Sequence, residues 1–500
     1  MKMKINNIIK HSLIVVCSML LLVGCDDYLD VNDNPNNPPI STPSLTLPVA
    51  QQTFATLNGT SMVYLGQFMT YNWTTPSNWS ANQNLIRYNF TNQQSTNIFE
   101  TSYASIFKDL TYVQNYEDPT GASDYSAYDA IAQTIKGFQY QYLVDLYGDI
   151  PFTEANLRGA NRTPKYDDAE TVYKATIDSL TNAATLALNL PDGAADPDSQ
   201  DIIFGGDMVS WAQFANTIKL RMLVRLSNTG QDAYIKDQIS SINANGAGYI
   251  DYDVNANPGY SDDSGKQSPF WGYIGQGPGG TDIDRNDFTV ATDYILELLD
   301  SYGDVRATQL YAEAANGGYK GAPQSTILPG TGFTSNDLSK VGPGLLLDFD
   351  QDQPIMILSE SLFLQAEAVQ RGYITGGDTA ENLYNSAIEA SFEYLGVEDA
   401  TVAAQAYYAQ AIANVSWGSS TDKIEAIITQ KWIALNGTSS IEPWIELTRT
   451  GFPTNLPIPA ESDGVRPVRL LYPDTEVSTN SNNVPAQTKT DVFTNNPFWK

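Results

Sequence analysis

Apolar residues recur at spacings near 3.6 along much of this chain, a pattern that predicts helices. In residues 124–147, Tyr128, Ile131, Ile135, Phe138, Tyr142 and Leu146 share one face, and Gly148 closes the run. The same period predicts helices over 167–188, with Asp167 or Asp168 as N-cap, and over 209–227, ending before Gly230. Further helices are expected at 290–301, 354–371 with Pro354 at the first position, 378–395, 399–413 and 421–436. The pair 354–371 and 378–395, separated by Gly372, Gly376 and Gly377, has the length of a tetratricopeptide-like helix–turn–helix unit, without a clean repeat consensus. Long irregular stretches rich in Gly, Pro, Asn, Asp and Ser lie at 68–97, 190–208, 250–288, 310–345 and 451–500. Such connections are usually functional or disordered, so ligand contact is expected there rather than on the helical frame.

The chain opens on a different pattern. Lys2, Lys4 and Lys10 precede an almost wholly apolar run at 12–23, and Leu22-Val23-Gly24-Cys25 ends it. That run falls short of the ~20 residues of a membrane-spanning helix, so residues 1–24 read as a lipoprotein-type signal peptide. Cys25 is then the acylated first residue of the mature chain, a lipid attachment point at a bacterial membrane face; cleavage elsewhere as an ordinary signal is the alternative. Residues 25–45 contain four prolines and four asparagines and no helical period. They read as an acidic tether leading into a single folded domain at 46–500.

Loss of residues 1–24 would remove the only histidine, His11, and Cys17, one of the two cysteines. That excludes histidine-based triads, histidine-ligated zinc and intrachain disulfides, while carboxylate-pair chemistry of the glycosidase type survives. The formal charge of −30 repels nucleic acid. The chain has 29 Tyr, 18 Phe and 8 Trp, while only 17% of its residues are charged. Aromatic rings among uncharged polar groups suit neutral, hydroxyl-rich ligands such as sugars.

Two loop clusters fit that chemistry. Tyr71, Trp73 and Trp79 lie in YNWTTPSNWSANQN beside Asn72, Asn78, Asn82, Gln83 and Asn84, and Trp271 and Tyr273 lie in the glycine-rich SPFWGYIGQGPGG. Sugar C–H faces stack on such rings while amide groups meet the hydroxyls. The alternative is that the rings form small satellite cores pinning long loops. Asp282, Asp284 and Asn286 with Asp293 imitate part of an EF-hand loop, but Asp287 stands where glycine is required and Asp293 where a bidentate Glu is normal. No metal ligand is assigned and no cofactor is expected, although so acidic a surface leaves room for an isolated structural calcium.

An ordered set of segments carries a family resemblance. It comprises Cys25-Asp26-Asp27-Tyr28-Leu29-Asp30-Val31 with Asn34-Pro35-Asn36, then Leu146-Tyr147-Gly148-Asp149-Ile150-Pro151-Phe152 and Pro164-Lys165-Tyr166-Asp167. Trp211, Phe214, Asn216 and Leu220-Arg221-Met222 follow, then Ser359-Glu360, Phe363 to Ala368 and Arg371-Gly372. Gln430-Lys431-Trp432, Glu442, Trp444, Glu446, Arg449-Thr450-Gly451, Pro453, Arg466, Leu470, Tyr472-Pro473 and Glu476 complete it. The chain resembles the SusD/RagB family of outer-membrane nutrient-binding lipoproteins of Bacteroidetes, in its SusD-like branch. The resemblance implies a mostly α fold with tetratricopeptide-like helix pairs, a glycan-binding face of long loops and no catalysis. It also implies a lipid anchor facing the cell exterior and a partner, a SusC-like TonB-dependent transporter that receives the oligosaccharide or other nutrient. Glu360, Glu367 and Arg371 are expected to form a structural network, and Trp432 and Trp444 to pack internally.

Overall fold

The computed structural model describes residues 41–324, 332–462 and 464–500. The expected signal peptide, Cys25 and the expected tether up to residue 40 lie outside the described residues. Pro43–Lys500 forms one compact unit. Its first helix, Pro43–Leu57, starts before Thr46, with proline in the first turn where a missing N–H costs nothing. A π-helical turn, Asn58–Met62, joins it to the helix Val63–Met69. Two glycines permit this arrangement. A Cβ on Gly59 would sit 2.1 Å from the Gln353 amide, and one on Gly66 would sit 2.7 Å from the Ser440 carbonyl oxygen.

The fold is mostly α, as the periodicity predicts. Ser126–Tyr147 ends at Gly148, whose φ of 80° suits a residue without Cβ. Asp168 caps Ala169–Leu188, Asp207 caps Met208–Arg225 and Asp422 caps Lys423–Ala434, each carboxylate accepting from backbone N–H groups of the first turn. Helix 126–147 packs on 169–188, which packs on 208–225. In the second half, Leu358–Gln370 packs on Ala380–Tyr394 and on 423–434, and Ala400–Tyr408 joins them, giving the tetratricopeptide-like arrangement. A core around Phe363, Tyr384, Phe392 and Tyr407 fills this group, and a larger one fills the remainder.

Two predicted boundaries are corrected. Pro354 does not open a helix: Gln353–Met356 is a buried strand paired antiparallel with Val254–Ala256, and the helix begins at Leu358. A short run that is apolar on every side has no period to separate strand from helix, and the proline falls where the ladder is irregular. Val290–Ala291 is likewise a strand, paired with Trp73–Thr74, and the following helix starts at Asp293, where Thr292 Oγ1 accepts from Ile295 N–H. The helices Asp232–Asn245 and Glu442–Thr450 were not read from the sequence; the second lies almost wholly inside, so its charged residues hide its apolar contacts.

Those buried charges form the frame's polar centre. Arg225 donates to Glu442 (2.7 Å) and Glu446 (2.6 Å) and lies 3.5 Å from Asp145. Arg449 makes a two-pronged pair with Glu367 (2.7 Å each) and reaches Glu446 at 2.5 Å. Arg221 meets Glu360 at 3.0 Å, Lys431 meets Glu442 at 3.2 Å, and Arg371 meets Glu367 one turn away at 2.7 Å. Asp145 also accepts from the Trp499 indole at 2.7 Å, which ties the C-terminal residues to the same layer. Trp432 and Trp444 are buried.

Burial opposes ionisation of Glu367 and Glu446, but their arginine partners win and hold both carboxyls below the usual range. For Asp145 burial wins over Arg225, and its pKa is pushed up to about 6. The signs therefore differ. Stability from Glu367 and Glu446 is complete above the ordinary carboxylate range and is lost in acid, whereas that from Asp145 is present in acid and fades as pH rises through about 6. Arg449→Met leaves Glu367 with Arg371 alone and should cost about 3–5 kcal/mol, read as a fall in the urea midpoint at neutral pH. A midpoint equal to that of the unaltered chain would show that the pair is not holding the helices.

Candidate functional site

Three segments distant in sequence are stitched together on one side of the frame. Trp73–Thr74 pairs with Val290–Ala291, and residues 339–340 extend that ladder through the Ala291 N–H to Ser339 carbonyl bond (2.8 Å) and a Val290–Lys340 bridge. Ser77 N–H donates to the Phe333 carbonyl (2.8 Å), and Asn78 Oδ1 accepts from the backbone N–H and the hydroxyl of Ser335 (3.0 and 3.1 Å).

These ties set the attitude of Trp79. Its indole N–H donates to Asp287 Oδ2 (2.7 Å) and to Ser335 Oγ (3.1 Å), and Phe288 packs edge-on against the ring, with centroids 5.4 Å apart. Asp287 in turn accepts from Lys340 Nζ at 2.8 Å. Partial burial favours its neutral form, but the Lys340 and Trp79 hydrogen bonds outweigh this and keep the carboxyl below its usual range.

The second aromatic loop meets the first here. Pro269–Ile274 is a short helix opened by proline, followed by a hairpin pairing Gln276–Gly277 with Thr281–Asp282. The Trp271 ring lies against Gly275, where a Cβ would come within 2.9 Å of the indole, so the glycine is what lets the ring rest on the backbone. Trp79 and Trp271, both half-buried, line one cavity of about 540 Å³ with Gln276, Asp282, Asp284, Asn286, Asp287 and Lys340. Other cavities, of about 540 Å³ beside residues 471–489 and about 630 Å³ beside 296–308, have no tryptophan in their walls.

The remaining sequence candidates are placed differently. Trp73 is fully buried, 5.9 Å from the Tyr64 ring, and has no face for a ligand. Tyr71 is also buried: its hydroxyl accepts from Gln324 N–H, and burial pushes its pKa up to about 12. Both are corrected from ligand platform to core. The physical reason is that the strand pairing of 73–74 draws that end of the loop inward, and the chain then turns at Pro76. Asn72 is buried too. Tyr273 does not line the cavity; the Arg285 guanidinium stacks on its ring at 3.7 Å, and Tyr64 meets it edge-on. Asn78 is exposed, with its carbonyl oxygen committed to Ser335.

Sequence reading missed Gln276, Asp287 and Lys340 as cavity residues. The acidic alternation at 282–286 is visible in the sequence but resembles only an ion loop there, and Lys340 carries no local signal. Among the described residues, no group of three or more His, Cys, Asp or Glu side chains is arranged to hold a metal ion. Asp287→Ala should release the indole of Trp79, which speeds exchange of its N–H proton with solvent in an NMR spectrum. Because the ion pair is partly exposed, stability should fall by less than about 1 kcal/mol. Unchanged exchange would show that Asp287 does not hold the ring.

No helix among the described residues is long and apolar enough to cross a membrane. The family model of SusD-like proteins, described as starch-binding and associating with the outer membrane, matches residues 35–473. Among solved structures, a chitin-binding protein superposes with a TM-score of 0.72 at 24% identity, covering 88% of this chain and 95% of that one. A chitin-binding SusD homolog from Flavobacterium johnsoniae gives a TM-score of 0.70 at 21% identity, covering 87% and 94%. A SusD-like protein from Bacteroides thetaiotaomicron gives 0.68 at 23% identity, covering 91% and 96%. No curated protein sequence matches the chain. Since the family match spans both aromatic loops and the ion-paired helices, and the fold agrees over most of its length, this chain belongs to the SusD-like family.

Proposed function

We propose that this protein captures oligosaccharides at the cell surface and passes them, uncleaved, to a SusC-like TonB-dependent barrel. Family membership supports glycan or nutrient binding in association with the outer membrane. The observation that carries the site assignment is the cavity on which Trp79 and Trp271 meet, because two fixed indoles beside amide side chains are what a hydroxyl-rich ring with flat C–H faces requires. The Trp271 indole N–H makes no hydrogen bond among the described residues and is left to donate to a hydroxyl. The chitin-binding activity named for two structural neighbours makes acetylated amino-sugar oligomers the first ligands to try.

A carboxylate-pair hydrolase needs one carboxyl held protonated by a raised pKa. The Lys340 and Trp79 hydrogen bonds hold Asp287 in its ionised form, so Asp287 is not suited to be that acid. An anchor at Cys25 would hold the body at the outer face, with the barrel beneath it. Confinement there raises the effective ligand concentration, so modest affinity suffices.

Titration with chitin and starch oligosaccharides should show saturable binding, with Trp79→Ala and Trp271→Ala each weaker by about 1–3 kcal/mol, roughly fivefold to a hundredfold. The sugar should be recovered intact. Wild-type affinity in both folded variants would move the site elsewhere, and new reducing ends would end the non-catalytic reading. In cells, a palmitate analogue should label the protein but not Cys25→Ala, protease added outside should reach the body, and mild detergent should extract it with a barrel protein. Persistent label on the variant, full protection, or recovery of the monomer alone would each count against the corresponding step.

A further inference from the structure

We propose that Asp282 and Asp284 select a sugar bearing a positive charge, an oligomer of glucosamine type with free amines, over its neutral N-acylated counterpart. The inference rests on the glycan-binding role proposed for the Trp79–Trp271 cavity and names its ligand class.

The composition of the chain suggests a neutral ligand and few charged contacts, but the cavity wall is not neutral. It carries three carboxylates, Asp282, Asp284 and Asp287, and one ammonium, Lys340. Lys340 is taken up by Asp287 at 2.8 Å, and Asp287 is further committed to the Trp79 indole. Asp282 and Asp284 have no such compensation: among the described residues neither side chain makes an ion pair or hydrogen bond, and both are exposed. Arg285, between them and Asp287 in sequence, is turned onto the Tyr273 ring, donates to the Tyr273 carbonyl at 3.1 Å, and does not line the cavity.

Asp282 is also held in place by the fold. It pairs with Gln276 in the short hairpin, and the turn of that hairpin is fixed by Asp262, whose carboxylate accepts from Gly279 N–H at 2.9 Å. Two indole faces and two unpaired carboxylates thus converge on one space, and both kinds of group attract a cation. A neutral N-acyl ring gains the stacking alone, and a uronic or sulfated sugar is repelled.

The test is calorimetric titration of the full chain at mildly acidic pH, where sugar amines are protonated, with fully deacetylated and fully acetylated chitin oligomers of equal length. The deacetylated oligomer should bind about tenfold more tightly, as two exposed ion pairs allow. That advantage should shrink as salt rises from about 50 to about 500 mM. In the folded double variant Asp282→Asn, Asp284→Asn the two affinities should converge. Equal or tighter binding of the acetylated oligomer, or a preference that survives in the double variant, overturns the charge selection while leaving the cavity as a glycan site. Binding of maltooligosaccharides but of neither chitin oligomer overturns the charge selection while leaving the cavity as a glycan site, and binding of no oligosaccharide at all defeats both readings together. A short lysine peptide that binds more tightly than the amine sugar would assign the selection to peptides and so overturn it as well.

Discussion

The helical frame depends on one dry layer in which Arg221, Arg225, Lys431, Arg449 and Arg371 face Asp145, Glu360, Glu367, Glu442 and Glu446. All but Arg371 are essentially without solvent contact. An ion pair removed from water is a poor source of net stability, because desolvation offsets most of the Coulomb gain. It is nevertheless a strict constraint. Sliding any one of the five participating helices would leave a charge unpaired where no water can reach it. The formal charges in this layer balance, and Arg225, Arg449, Glu367, Glu442 and Glu446 each have more than one partner, so the helices are fixed as a group.

None of the charged residues of this layer comes from the long loops. The aromatic cavity is assembled from segments near residues 71–79, 269–292 and 332–346, joined by two-residue strands and side-chain ties rather than by a sheet of any size. Trp79 is oriented through Asp287 and Lys340, which lie in the other segments. The cavity is therefore a property of loop–loop contacts, and none of the frame's ion-paired residues lines it.

Charge within the cavity refines what composition suggests about ligands. Over the whole chain, abundant aromatic and uncharged polar residues point to a neutral sugar. Locally, acidic side chains outnumber their partners on the cavity wall. A whole-chain average cannot show this, because it sums charges without regard to where the fold places them.

The sequence by itself determined the long helices, a cap at Asp167 or Asp168, the mostly α class and the family, since helical period and capping are local and survive in one dimension. It also singled out the two aromatic loops. Their partition into core and cavity wall was a decision of the tertiary structure: Trp73 and Trp79 are six residues apart in the same polar loop, yet strand pairing with Val290–Ala291 buries the first and leaves the second on the cavity wall. Pro354 likewise reads as a helix start until pairing with 254–256 makes it part of a strand. The contribution of Lys340, distant in sequence from both loops, could be settled only by the folded chain, because its role rests on contact with Asp287 rather than on any pattern around it.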